Sequence, residues 1–434
     1  MPARLNAADP DFDVRFQDFL NVRRAAEADV DQAAREIVET VRANGDAALL
    51  DYTRKYDRFD AAVLGLRITP GEIAAARKDC EPDTIAALDL AAQRIKSYHA
   101  RQLPDDLDYT DEAGIRLGHR WRPVPAVGMY VPGGTAAYPS SVLMNAIPAH
   151  VAGVPRLVMA VPAPDGEIAP LVLAAADLAG VDEIYRVGGA QAVAALAFGT
   201  ETIAPVDKIV GPGNAYVAAA KRMVFGTVGI DAIAGPSEIL VVADGEADPS
   251  WIAADLLAQA EHDTSAQSIL VTDSAAFADE VARHVDRHLQ ALPRSGIAGE
   301  SWRNHGAIIV VPTLEAGVAI VDRIAPEHLE IATAEPDGLA QKITNAGAIF
   351  LGNHAPEAVG DYIAGPNHVL PTGRSARFSS GLGVLDFMKR SSIIGADRAS
   401  LARIGPAAVT LARAEGLDAH ALSLQLRMSE PDEA

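Results

Sequence analysis

With 434 residues the chain exceeds what one hydrophobic core organises, so more than one lobe with a substantial interior is expected. Its 58 acidic residues against 37 basic ones give a formal net charge of -21, which excludes the cationic face that nucleic acid or an anionic membrane requires. No run of about eighteen apolar residues is present for a membrane span, and the opening MPARLNAADPDFDVRFQDFL lacks the basic, apolar, small-residue order of a secretion signal, so the expected compartment is the cytoplasm.

A chain that is 49% apolar with only 5% aromatics suits tightly packed helices and short parallel strands. Residues 1–25 read as an N-terminal helical extension. Between 30 and 55 apolar side chains recur at three- and four-residue spacing around a glycine-containing break, which predicts two amphipathic helices. Another helix is expected over about 71–100. It contains Cys80, the only cysteine, whose neighbours Asp79 and Glu81 disfavour a thiolate. Cys80 is therefore expected to be an exposed, inert thiol, not the nucleophile of an aldehyde-oxidising enzyme.

From Trp121 the texture changes, and the segment from Pro123 to Gly134 reads as a strand followed by a glycine-rich turn. Short apolar runs then alternate with Ala-rich helical stretches: 156–161, 183–187, 208–210, 238–242, 268–271, 307–311 and 348–351. Runs apolar on both faces and separated by helices indicate parallel strands buried in α/β sheets. Their spacing fits βαβ units, and two Rossmann-like lobes with parallel-rich sheets are the expected architecture. One lobe, the larger, is assigned 26–133 together with 235–366, and the smaller 134–234. After Asn367 the chain becomes Ser-, Gly- and Arg-rich, then helical to Leu426, and ends in an acidic tail. Residues 367–434 are thus expected to form an extended connection and a small helical segment.

Four groups of residues have chemistry to offer. Gln259 and His262 stand three apart in the last turn of a predicted helix, on one face, where two donors could converge or simply meet solvent. Asp361 and His368 flank a Gly-Pro turn beyond the strand ending at Leu351, a place where carboxyl-end loops of a sheet bind ligands; both are good Zn2+ donors, and turn formation is the alternative. Glu327 and His328 put an acid beside an imidazole after Pro326, either as an acid–base pair or as a first helical turn. Glycine turns at Tyr130–Gly134, Val187–Gln191 and Val210–Tyr216 can bring backbone N–H groups to a polar ligand, although no strict G-x-G-x-x-G occurs. His284 and His288, spaced like a helical metal pair, sit among Arg283, Arg287 and Asp286 and are read as a solvated face.

Taken in order, VGGAQAVAALAFGT, KIVGPGNAYVAAAKR, GIDAIAGPSEILVVAD, AQAEHDTSAQSILVT, APEHLEI and GDYIAGPNHVLPT resemble the histidinol dehydrogenase family, over about residues 25–427. The resemblance implies a cytoplasmic, NAD+-dependent oxidation of L-histidinol through L-histidinal to L-histidine. It also implies a homodimer with one Zn2+ per subunit, held by Gln259, His262 and Asp361 of one chain and His420 from the C-terminal segment of the other. Catalysis falls to Glu327 and His328. Substrate contacts fall to Ser237, Gln259, His262, His328, Asp361, His368, Glu415 and His420, and NAD contacts to Tyr130, Gln191 and Asn214. Two other readings use the same residues: a zinc/NAD dehydrogenase for another polar alcohol, and a zinc hydrolase using Glu327 to activate water.

Overall fold

The computed structural model describes residues 2–21, 28–133, 137–233 and 235–429. Residues 22–25 of the expected N-terminal extension, Gly134 of the glycine-rich turn and residues 430–434 of the acidic tail lie outside these. In chain order the described strands are β1 (Ala3–Asn6), β2 (Leu107–Thr110), β3 (Arg116–Pro123), β4 (Val127–Tyr130), β5 (Leu157–Val161), β6 (Glu183–Arg186) and β7 (Lys208–Val210). There follow β8 (Gly229–Ile230), β9 (Glu238–Ala243), β10 (Gln267–Thr272), β11 (Ala307–Val310), β12 (His328–Ala332), β13 (Ala348–Leu351) and β14 (Met388–Gly395).

Two all-parallel sheets form the lobes. One runs β6-β5-β4-β7-β8 and the other β1-β11-β10-β9-β12-β13. Counted from β4, the five-stranded sheet has the order 3-2-1-4-5; counted from β9, the six-stranded sheet has the same order with β1 added outside β11, the doubly wound arrangement in which winding reverses beside the first strand. The reversal falls between β4 and β7 in one sheet and between β9 and β12 in the other. The expected Rossmann-like pair is therefore present. A third, antiparallel sheet, β14-β3-β2, joins the C-terminal segment to residues ahead of β4.

Side-chain alternation in β9 explains how each sheet is covered. Ile239, Val241 and Ala243 pack under Ile252, Leu256 and Val281 on one face, while Leu240 and Val242 meet Phe16, Ile320 and Leu329 on the other. Each such buried aliphatic side chain contributes roughly 1.5–3 kcal/mol. The five-stranded sheet is covered in the same way. Helix Ala28–Tyr56 packs with Gly189–Phe198 and Ala215–Val224 on one face, and Pro82–His99 packs with Pro139–Val151 on the other.

That packing corrects the lobe boundary. Residues 28–133 belong to the five-stranded lobe and not with 235–366, because β4 is the central strand of that sheet and the helices before it cover both its faces. Amphipathic periodicity shows that a helix has an inward face without saying which sheet it faces. The N-terminal extension is corrected too: Ala3–Asn6 is a strand paired in parallel with β11, and only Phe12–Asn21 is helical.

The break expected within 30–55 is Gly45, at φ 52 inside the Ala28–Tyr56 helix. The single helix expected over 71–100 is instead two, Pro70–Lys78 and Pro82–His99. Pro82 begins the second and holds Glu81 extended, since proline crowds the residue before it. Cys80 lies in that break, half-buried, with its thiol donating to the Ala76 carbonyl at 3.3 Å. His284 and His288 are likewise half-buried rather than solvated. Their rings lie 6.0 Å apart, and His288 Nε2 is 3.1 Å from Ser250 Oγ.

Helices Arg398–Ala414 and Asp418–Met428 form a C-terminal hairpin whose own core is little more than Val409, Ala412 and Ala421. Leu411, Leu422 and Leu426 are exposed on it. No described helix is long and apolar enough to cross a membrane.

Candidate active site

His328 is the first residue of β12 and Ser237 immediately precedes β9, so the acid–imidazole pair sits at the amino edge of the six-stranded sheet, at its winding reversal. Helix Pro249–Ala260 runs back antiparallel to β9 and delivers Gln259 to this edge. The short helix Glu357–Tyr362 returns from β13 and delivers Asp361. The expectation that carboxyl-end loops would carry this cluster is therefore overturned for this lobe. Its carboxyl edge is tied shut instead: Asp244, just after β9, accepts N–H groups from Glu246 and Ala247 at 3.0 and 3.1 Å and from Ala334, beyond β12, at 2.9 Å.

Hydrogen bonding fixes the form of the imidazole. Nδ1 of His328 lies 3.0 Å from the Glu238 carbonyl, which can only accept, so Nδ1 carries the proton and Nε2 the lone pair. Nε2 is buried without a hydrogen-bond partner and faces Asp361 Oδ1 at 3.8 Å. Burial pushes this imidazole down to about 4, against the raising effect of Asp361 and the Glu238 carbonyl and with help from His368 and His262. The site therefore contains a neutral, buried base.

Glu327 is anchored beside it, with Oε2 accepting the Glu238 N–H at 2.9 Å and lying 3.8 Å from His328 Nδ1. His368 Nδ1 is 3.0 Å from the Asp361 carbonyl and its Nε2 3.5 Å from Ser141 Oγ. Burial lowers the pKa of His368 as well.

Segment 361–368 also bridges the lobes. Arg94 Nη2 donates to the Ala364 carbonyl at 3.1 Å, and Asn367 Nδ2 donates to the Met144 carbonyl at 2.6 Å. Helix Pro139–Val151 follows β4, so Ser141 marks the carboxyl edge of the five-stranded sheet. The amino edge of one sheet thus faces the carboxyl edge of the other across this segment.

The remaining expected residues divide. At the carboxyl edge of the five-stranded sheet, Tyr130 ends β4, Gln191 lies in the first turn after β6, and Asn214 caps the helix after β7, accepting from Tyr216 and Val217 N–H groups at 3.1 Å each. Tyr130 and Gln191 are buried; the tyrosine hydroxyl accepts the Gly189 N–H at 3.1 Å, and burial pushes it up to about 12. Glu415 and His420 are exposed on the C-terminal hairpin. Among the described residues no hydrogen bond or ion pair joins either to the site.

The site also holds a residue the sequence reading missed, Glu357. It is 3% exposed, has both carboxylate oxygens without hydrogen-bond partners, and lies 3.3 Å from His328 Nδ1. Burial raises its carboxyl well above the ordinary range, and Asp361, Glu330 and Glu327 add to that. Its signal was available as the i, i+4 spacing to Asp361 on a short helix.

Ligand atoms of His328, Glu357 and Asp361 lie within 4.8 Å of one another, the one such group among the described residues, and it shares only Asp361 with the four expected ligands. The donor set nonetheless fits a cation. Gln259, in the last turn of helix Pro249–Ala260, is fully buried with both amide atoms unpartnered, the Glu357 and Asp361 carboxylates lie beside His328, and oxygen and imidazole nitrogen are donors that Zn2+ accepts.

The histidinol dehydrogenase family model matches residues 20–428. Histidinol dehydrogenase of Rhizobium meliloti is 60% identical over 433 residues, 100% of each chain, and that of Rhodospirillum rubrum is 63% identical over 99% of each. Among solved structures, histidinol dehydrogenase from Elizabethkingia anophelis aligns with a TM-score of 0.93 at 35% identity, covering 98% of both chains.

Proposed function

The chain belongs to the histidinol dehydrogenase family, and from that premise we propose that it oxidises L-histidinol through L-histidinal to L-histidine, a four-electron oxidation using two NAD+ and one Zn2+ per subunit. The observation that supports this most is His328, a base kept neutral by burial, with Nε2 open at the point where the two sheets face each other.

Gln259, His262 and Asp361 would hold the metal, with His420 from a second copy of the chain completing the set. Bound there, Zn2+ would orient and polarise the substrate, and NAD+ at the carboxyl edge of the five-stranded sheet would accept hydride. In the alcohol step the hydroxyl proton passes to His328 Nε2 as hydride leaves the carbon. The proton the imidazole gains is stabilised by the Asp361 carboxylate at 3.8 Å and by the Glu238 carbonyl, which keeps the ring in place. In the second oxidation the aldehyde carbon must first gain water. Glu327, held by the Glu238 N–H, accepts a proton from that water, so no thiol adduct is needed; half-buried Cys80 lies between two helices of the other lobe.

Ser237 and His368 line the same edge and would contact substrate. Glu415 of the second copy would meet the substrate's cationic amine, an attraction that favours histidinol over an uncharged alcohol. The cytoplasm suits a biosynthetic enzyme of this kind.

NADH formed per histidinol, measured with zinc content, tests the reading. Two NADH per substrate are expected, falling towards one with histidinal accumulating in Glu327→Gln. One NADH from the unaltered enzyme would overturn the four-electron assignment.

A further inference from the structure

Beneath the winding reversal of the five-stranded sheet lies an ion pair that the chemistry above does not use. Lys221, on helix Ala215–Val224, and Asp231, just after β8, pair with side chains only 3% and 5% exposed. Both direct their remaining hydrogen-bonding capacity at a single residue. Lys221 Nζ donates to the Gly211 carbonyl at 3.0 Å, and the Gly211 N–H donates to Asp231 Oδ2 at 2.7 Å. The three contacts close a ring around one residue of backbone.

Gly211 opens the Gly-Pro-Gly-Asn turn between β7 and the helix that Asn214 caps. Its φ is 105, and a Cβ added there would lie 2.1 Å from the Tyr130 carbonyl, so this backbone is pressed against the end of β4 in a conformation reserved for glycine. Gly213 is equally confined, since a Cβ would meet Val217 at 2.4 Å. Pro212 has no N–H to offer. The direction of the turn, and hence of the helix N-terminus beyond it, is therefore set at Gly211.

A buried ion pair is a poor source of stability, because desolvating two charges offsets most of their attraction and well-packed apolar residues do as well or better. What a closed ring supplies is a fixed orientation. We infer that Lys221 and Asp231 are positioning residues for the dinucleotide: they hold the Gly211–Asn214 turn in the one geometry that lets the β4/β7 crevice and the following helix start receive NAD+. This rests on the reading of that crevice as the nucleotide side.

The test compares the full-length, zinc-loaded enzyme with the double variant Lys221→Met, Asp231→Leu, which removes both charges. The dissociation constant for NAD+ is expected to rise about tenfold or more, with zinc content and the KM for histidinol close to unaltered and the melting temperature lowered by the loss of partners for the Gly211 N–H and carbonyl. A folded double variant that binds NAD+ as tightly as the starting protein overturns the inference. Asp231→Asn, which keeps an acceptor for the Gly211 N–H and removes only the charge, gives a second reading by amide exchange. Faster exchange at Gly211 is expected to accompany weaker NAD+ binding, and faster exchange with unchanged binding contradicts the assignment. Failure of the unaltered enzyme to bind NAD+ at all would fault the nucleotide reading instead.

Discussion

The two lobes share a five-strand order, extended by β1 in one of them, and gather their candidate functional residues at opposite edges of it. In the five-stranded sheet the reversal between β4 and β7 opens at its carboxyl edge onto glycine turns and a capped helix start. In the six-stranded sheet the corresponding carboxyl edge is closed by Asp244, and the reactive groups gather at the amino edge, where β9 and β12 begin. Topology alone therefore points to the proposed nucleotide crevice in one lobe and to the wrong edge for the clustered acid and imidazole groups in the other. The two edges of the six-stranded sheet differ in what they leave over: Asp244 satisfies three backbone donors on one side, while Gln259, Glu357 and His328 Nε2 hold buried atoms without partners on the other.

The strongest attack on this contrast is His328→Ala. Loss of the base is expected to lower kcat roughly 10²–10⁴-fold for both oxidations while zinc content and NAD+ affinity hold, since Nδ1 is committed to the Glu238 carbonyl and the proposed nucleotide crevice is at the other lobe's edge. A comparable fall in NAD+ affinity would break the separation of roles.

Acid pH probes the same edge less severely. Burial lowers His328 from 6.5 to about 4, so the base stays unprotonated through neutral pH, and kcat/KM should decline only as pH drops well below 6.5. Between those values the unfolded chain binds more protons than the folded one, so this group also makes stability rise with pH across that window. An acid limb centred at 6.5 would describe a solvated imidazole and contradict the buried base.

The smallest effect is expected at the closed edge. Asp244→Ala removes the acceptor of three N–H groups, two of them at exposed residues, and should reduce stability by about 0.5–1.5 kcal/mol in denaturant unfolding, with kcat and both KM values unchanged. Lost activity at full stability would mean that this edge, too, takes part in the reaction.

Much of this was legible in the chain, for reasons that can be located. Strands such as Leu157–Val161 and Ala307–Val310 are nearly wholly buried and apolar throughout, which made them readable and with them the two-lobed α/β class. β12 was not, because it begins with His328 and carries Glu330 in its interior, and a strand that holds functional side chains loses the apolar signature. Antiparallel β2, β3 and β14 are largely exposed and polar, so no periodicity set them apart from connections. The site residues were nameable through the ordered motifs and not through spacing. Glu357 escaped because a carboxylate near a turn is ordinarily solvated, and only tertiary packing buries this one.

One part of the proposed site is not brought together within a single chain. Asp361, His328 and His368 converge and Gln259 is buried with its amide unpartnered, whereas Glu415 and His420 stand exposed on a hairpin with apolar residues turned outward. Combining Asp361→Ala subunits with His420→Ala subunits tests directly whether a second copy completes the site. In a mixed dimer one site inherits both substitutions and the other inherits neither, so a statistical mixture should recover about one quarter of full activity from two inactive parents. No recovery, with mixed dimers demonstrably formed, would contradict a site shared between chains.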